Sequence, residues 1–132
     1  MRRARILIVD DEAQFADNLL KLLSKRGFDV VAVNDGVSAL RTVEDEEFDV
    51  VLLDLKMPGM HGIDALKAMR KKKPLTEVII LTGHGSVDSA VEGMGIGAFD
   101  YAVKPIGLVE LVDKIRQAFE RRLLRESSLS RQ

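Results

Sequence analysis

The chain has 132 residues, of which 46% are hydrophobic and 31% charged, enough for one domain with a buried core. Twenty basic against 21 acidic residues leave a net charge of −1, so no overall field draws it to nucleic acid or an anionic membrane. Cysteine is absent, which excludes a disulfide frame and thiolate metal sites and fits a cytoplasmic, reducing location.

MRRAR followed by ILIV mimics the head of a signal peptide. The apolar stretch from Ile6 ends at Val9, against the roughly 7–15 apolar residues of a secretory core, so it reads as a first strand with a basic leader. No run approaches the roughly 18 apolar residues of a membrane span. The strand runs into Asp10 and Asp11. Phe15, Leu19, Leu22 and Leu23 then recur at helical spacing, and Gly27 closes that helix. Phe28 to Val33 is the second strand. Asn34, Asp35 and Gly36 turn the chain into a short helix marked by Val37, Leu40 and Val43.

The third strand, Val50 to Leu53, runs into Asp54. A loop through Lys56, Met57, Pro58 and Gly59 precedes a helix carrying Ile63, Leu66 and Met69. That helix ends in Arg70, Lys71, Lys72 and Lys73, where cations suit the C-terminal end of the dipole better than they argue for a nucleic-acid patch. The fourth strand, Val78 to Leu81, runs into Thr82. Ser86 is the expected N-cap of the next helix, which carries Val87, Ala90, Val91 and Met94 and is softened by Gly93, Gly95 and Gly97. Phe99 to Val103 is the fifth strand and runs into Lys104 and Pro105. The last helix carries Leu108, Leu111, Val112, Ile115, Phe119 and Leu123, and the polar tail ESSLSRQ is expected to fray. Leu123 and Leu124 run past the expected domain end and suggest a dimer seam or a severed linker helix.

Alternating strands and helices predict an α/β fold, a doubly wound parallel sheet with helices on both faces. Strands buried on both faces read as continuous apolar runs, as these do. Parallel strands put their C-terminal ends on one edge, which would gather Asp10, Asp11, Asp54, Thr82 and Lys104 in one crevice. Two unit charges roughly 4 Å apart repel by about 4 kcal/mol at an effective dielectric near 20, so three carboxylates need a cation or a proton. Oxygen donors without His or Cys favour Mg²⁺. A carboxylate beside Mg²⁺ can become an aspartyl phosphate, with a lysine and a hydroxyl on the phosphoryl oxygens.

The motifs ILIVDDE, VVLLDLKMPGMHG, VIILTGHG and FDYAVKP, in this order and spacing, resemble the receiver domains of two-component response regulators. The resemblance covers residues 4–124 and leaves 125–132 as a polar tail or truncated linker. It implies a flavodoxin-like sheet of five strands in the order 2-1-3-4-5 with five flanking helices. It implies that Asp54 is the phosphoacceptor and that Asp10, Asp11, Asp54 and the backbone carbonyl of Lys56 bind Mg²⁺. Thr82 would bind one phosphoryl oxygen and Lys104 another, with a cis bond from Lys104 to Pro105. Thr82 and Tyr101 would form the switch. The implied partners are a histidine kinase or phosphotransfer protein and a downstream effector or output domain, with no direct nucleic acid and no membrane. A dimer through the face of the fourth helix, fifth strand and last helix is admitted.

Within the family, LTGHGSVDSAVEGM and GAFDYAVKP look most like receivers of nitrogen-regulation-type activators. Gly95 and Gly107 depart from that pattern, the first where a lysine and the second where a capping Asp or Ser is commoner. The product is expected to be a switch rather than an enzyme acting on another substrate. The alternative, a pseudo-receiver that only binds partners, would be expected to lack one of the acids or Lys104. An aspartyl-phosphate phosphatase usually carries its nucleophile on the first strand with a second Asp two residues on, and has a cap domain. GMGIGA at residues 93–98 matches a dinucleotide fingerprint but closes a helix rather than opening one, which argues against a cofactor. His61 and His84 lie in loops without metal spacing. His84, two residues beyond Thr82, stands where it could influence water access.

Overall fold

The computed structural model describes residues 2–57, 59–83 and 87–130. Pro58, His84 and the expected cap Ser86 lie outside the described residues. In chain order the elements are β1 (Arg5–Val9), α1 (Ala13–Lys25), β2 (Asp29–Val33), α2 (Gly36–Asp45) and β3 (Val50–Leu53). They continue with α3 (Gly62–Lys72), β4 (Glu77–Thr82), α4 (Val87–Ile96), β5 (Asp100–Val103) and α5 (Leu108–Ser130). All strand pairs are parallel and the sheet order is β2-β1-β3-β4-β5, as expected.

Side chains alternate across the sheet and build a core on each face. Ile6, Ile8, Val50, Leu52, Ile79 and Leu81 face α1 and α5. Leu7, Val9, Val51, Leu53, Val78 and Ile80 face the layer of α2, α3 and α4. This double burial is why the strands look uniformly apolar in sequence. Gly27, at φ 93°, ends α1 in the left-handed conformation that glycine adopts without penalty. The Asp35 carboxylate caps α2 by accepting from the Ser38 N–H at 2.7 Å.

Three helices use their apolar residues differently from the spacing alone. Leu22 of α1 is 44% exposed and Val37 of α2 is exposed, while Ala16 and Ala39 are buried in their place. In α4, Val91 and Met94 face outward, while Ala90 and Gly93 meet the sheet. The reason is close approach: a Cβ on Gly93 would lie 2.3 Å from Ile80 Cδ1, so the small side of the helix sits on β4.

The described part of the tail, through Ser130, is helical rather than frayed. α5 continues to Ser130 because its extension is tied to the N-terminal edge of the sheet. The buried Arg122 donates to the Phe48 carbonyl at 3.0 Å. Arg125 donates to the Pro74 carbonyl at 2.7 Å, and Glu126 accepts from Arg2 at 2.9 Å. The basic run that closes α3 is paired in part: Arg70 donates to the Thr76 carbonyl, and Lys72 and Lys73 pair with Glu44 and Glu47. Among the described residues no helix is long and apolar enough to cross a membrane.

Gly62 opens α3 directly under the segment that follows Asp54. A Cβ there would lie 2.3 Å from Leu55 Cα and 2.8 Å from the Leu55 carbonyl oxygen, both backbone atoms that cannot swing aside. Gly62→Ala is expected to destabilise the fold by roughly 1–3 kcal/mol through overpacking. Gly95→Ala, which meets nothing within 4 Å, is expected to stabilise it by about 0.5–1 kcal/mol. Urea unfolding checks both, and equal midpoints for the two variants would contradict this packing.

Candidate functional site

The parallel register sets the site. Val9 pairs with Leu53 and Leu53 with Ile80, so Asp10 and Asp54 leave adjacent strands at the same level. Thr82 pairs with Val103, which puts Lys104 just beyond Thr82 on the next strand. Backbone hydrogen bonds from Asp54 N–H to the Val9 carbonyl (2.9 Å) and from Lys104 N–H to the Thr82 carbonyl (2.7 Å) carry this order past the strand ends.

Asp10, Asp54 and Thr82 are buried, at 2%, 5% and 0% exposure. The Thr82 hydroxyl donates to Asp54 Oδ1 at 2.9 Å, and the Lys56 N–H donates to the same oxygen at 3.0 Å. The Lys104 ammonium donates to Asp10 Oδ2 at 2.7 Å and lies 3.5 Å from Asp54 Oδ2 and 3.4 Å from Glu12 Oε1. Asp10 Oδ1 accepts from the Glu12 N–H at 2.9 Å, and the Asp10 carbonyl accepts from the Asn34 amide at 2.9 Å. The bond from Lys104 to Pro105 is cis. Tyr101 is half-buried on β5, paired with Ile80 and packed against the core on the α2–α4 side.

One family model, described as "Response regulator receiver domain", matches residues 6–116. The chain belongs to the response regulator receiver family. It is 44% identical over 120 residues to "Regulatory protein AtoC" of Escherichia coli, covering 88% of this chain and 25% of that protein. It is 41% identical to "Transcriptional activator protein IrlR" of Burkholderia pseudomallei, covering 96% of this chain and 55% of the relative. The chain thus spans a quarter to about half of these curated relatives. A solved receiver domain protein from Clostridium thermocellum superposes with a TM-score of 0.86 at 39% identity, over 92% of this chain and 98% of that one.

In this receiver, Asp10, Glu12 and Asp54 each offer a carboxylate oxygen, all within 4.8 Å of one another. Asp11, expected from the sequence beside Asp10, is exposed and stands outside that group. Sequence reasoning passed over Glu12, although it directly follows the acid pair and enters the first turn beside the same sheet edge. The donor set is hard oxygen throughout and fits Mg²⁺.

Among the described residues, three carboxylates stand against one ammonium, short of positive charge. Burial pushes the Asp10 carboxyl above its ordinary value, and neither the Lys104 hydrogen bond nor the Glu12 N–H cancels this, while the Asp54 charge adds to it. Burial alone would lower the Lys104 ammonium, but Asp10, then Asp54 and Glu12, raise it. Lys104 therefore stays charged at neutral pH.

Because the folded-state value of Asp10 is raised, its ionised form costs stability at neutral pH. That cost disappears as pH falls through the folded value toward the unfolded one, about 3.9. Asp10→Asn, whose amide oxygen can still accept from Glu12, is expected to raise Tm at pH near 7. The advantage should shrink toward pH about 4. A lower Tm for Asp10→Asn at neutral pH would contradict this electrostatic picture.

Proposed function

We propose that this receiver is a phosphoacceptor switch in which Asp54 takes a phosphoryl group from a phosphohistidine on a histidine kinase or phosphotransfer protein. The observation that carries the reading is the pair of contacts on Asp54: the Thr82 hydroxyl on one oxygen and the Lys104 ammonium facing the other. An Asp54 oxygen attacks phosphorus in line, the phosphorus–nitrogen bond of phosphohistidine breaks, and the imidazole leaves with that electron pair. Lys104, already charged and poised beside Asp54, follows the new negative charge onto a phosphoryl oxygen. Asp10, Asp54 and the Lys56 carbonyl would hold Mg²⁺, with Asp11 or Glu12 supporting it through water. When bound there, the ion neutralises charge on the phosphoryl oxygens.

Forming the acyl phosphate takes the carboxylate charge from the acceptor that Thr82 uses now and so weakens that bond. Its hydroxyl then turns to a phosphoryl oxygen, and Thr82 moves toward Asp54. Tyr101, on the neighbouring strand, repacks inward into the space released, and the face of α4, β5 and α5 changes. This is a population shift whose reach is set by how much better the phosphorylated site fits one state. That face then serves a downstream effector, an output domain or a second copy. The names of the relatives favour a transcriptional output.

Incubation with acetyl phosphate and Mg²⁺, read by intact mass, tests the reading. The parent is expected to gain one phosphoryl group and Asp54→Asn none. No gain on the parent, or equal gain on both, would overturn it.

A further inference from the structure

Lys104 has a neighbour that the phosphoacceptor reading does not use. Its ammonium nitrogen lies 4.3 Å from the centroid of the Phe15 ring. Phe15 is half-buried in the first turn of α1, so the helix that begins beside Asp10 carries the ring back over the site. On its other side Phe15 packs against the core shared by α1 and α5, together with Ile106 and Leu108.

The partners of Lys104 differ in kind. Asp10, Asp54 and Glu12 hold it by formal charge, at 2.7, 3.5 and 3.4 Å. Each of them also attracts a metal ion and repels an incoming phosphoryl group. The ring attracts the ammonium through its quadrupole and carries no net charge. It neither ligates a hard cation nor repels the phosphoryl oxygens. Among the described residues it is the partner that Lys104 can keep while its carboxylate partners are exchanged.

We infer that Phe15 is a positioning residue for Lys104, holding the ammonium over Asp54 with its ring face while the ammonium passes from Asp10 to the phosphoryl group. The inference rests on the phosphoacceptor reading for its consequence, and on the ring contact for its geometry. An aliphatic side chain of similar bulk would serve the packing of α1, so the aromatic face is what separates the positioning role from a core role.

The test compares Phe15→Leu and Phe15→Tyr in the full chain. Three measurements are made: thermal melting, the NMR shifts of the Lys104 ε-methylene protons, and the initial rate of phosphorylation by acetyl phosphate with Mg²⁺. In the parent and in Phe15→Tyr the ring current is expected to move the Lys104 resonances upfield, and in Phe15→Leu they return to ordinary lysine values. The phosphorylation rate is expected to fall roughly fivefold in Phe15→Leu and to be restored in Phe15→Tyr, as for a partly exposed cation–π contact. A Leu variant as fast as the parent, or a Tyr variant as slow as Leu, would overturn the inference. If Phe15→Leu does not fold, the parent spectrum decides: Lys104 protons at ordinary shifts refute the contact. A parent that takes no phosphoryl group refutes the phosphoacceptor reading instead, because the NMR shifts report the ring contact independently.

Discussion

One ammonium shared among three carboxylates is the interaction on which the site depends. Lys104 reaches Asp10, Asp54 and Glu12 only because four parallel strands end on one edge in fixed register. A one-residue slip would turn each strand-end side chain to the opposite face. The double-sided core prevents such a slip, since it would exchange the residues packed under α1 and α5 with those packed under α2–α4. The fold therefore holds together a charge arrangement that would fly apart in a looser chain. The imbalance that remains makes the acidic cluster compatible with a bound cation.

The opposite edge of the sheet shows how the same chain handles buried acids when no chemistry is wanted. Both carboxylate oxygens of Asp49 accept from the same Arg2 nitrogen, Nη1, and Asp49 lies 4.0 Å from Arg122. Glu77 is surrounded by Arg70, Arg121 and Arg125. Its Oε2 lies 3.1 Å from Arg121 Nε without hydrogen-bond geometry, so it is countered by charge rather than by a bond. Arginine matches or outnumbers carboxylate there, and removing one partner would strand a buried charge. At the reactive edge the ratio is reversed. The two edges differ in balance: one clamps the extended α5 to the sheet, and the other stays under-neutralised.

Much of this was legible in the sequence, for a physical reason. Parallel strands buried on both faces have no polar alternation, so ILIV, VVLL and VIIL stand out, and the first residue after each is necessarily at the edge. The sequence alone therefore puts Asp10, Asp54, Thr82 and Lys104 at the strand ends. Helices were less legible, because spacing shows which residues share a face but not which face meets the sheet. In α4 the larger residues Val91 and Met94 look like the core side, yet the glycine side lies inward because it allows closer approach to Ile80. Glu12 and Phe15 were hidden for a related reason: their roles depend on how the first turn of α1 is aimed at Lys104, which no spacing rule encodes. The helical tail depended on Arg122, Arg125 and Glu126 finding partners far away in sequence.

In the proposed switch Lys104 and Thr82 are mobile partners of one acceptor, Asp54. The direct test is a crystal structure of the chain with Mg²⁺ and beryllium trifluoride, which mimics a phosphoryl group on a carboxylate. The expected structure has the adduct on Asp54, with the Thr82 hydroxyl and the Lys104 ammonium both on its fluorines and Lys104 withdrawn from Asp10. An adduct on Asp54 with Lys104 still bound to Asp10 and Thr82 still bound to Asp54 Oδ1 would contradict it.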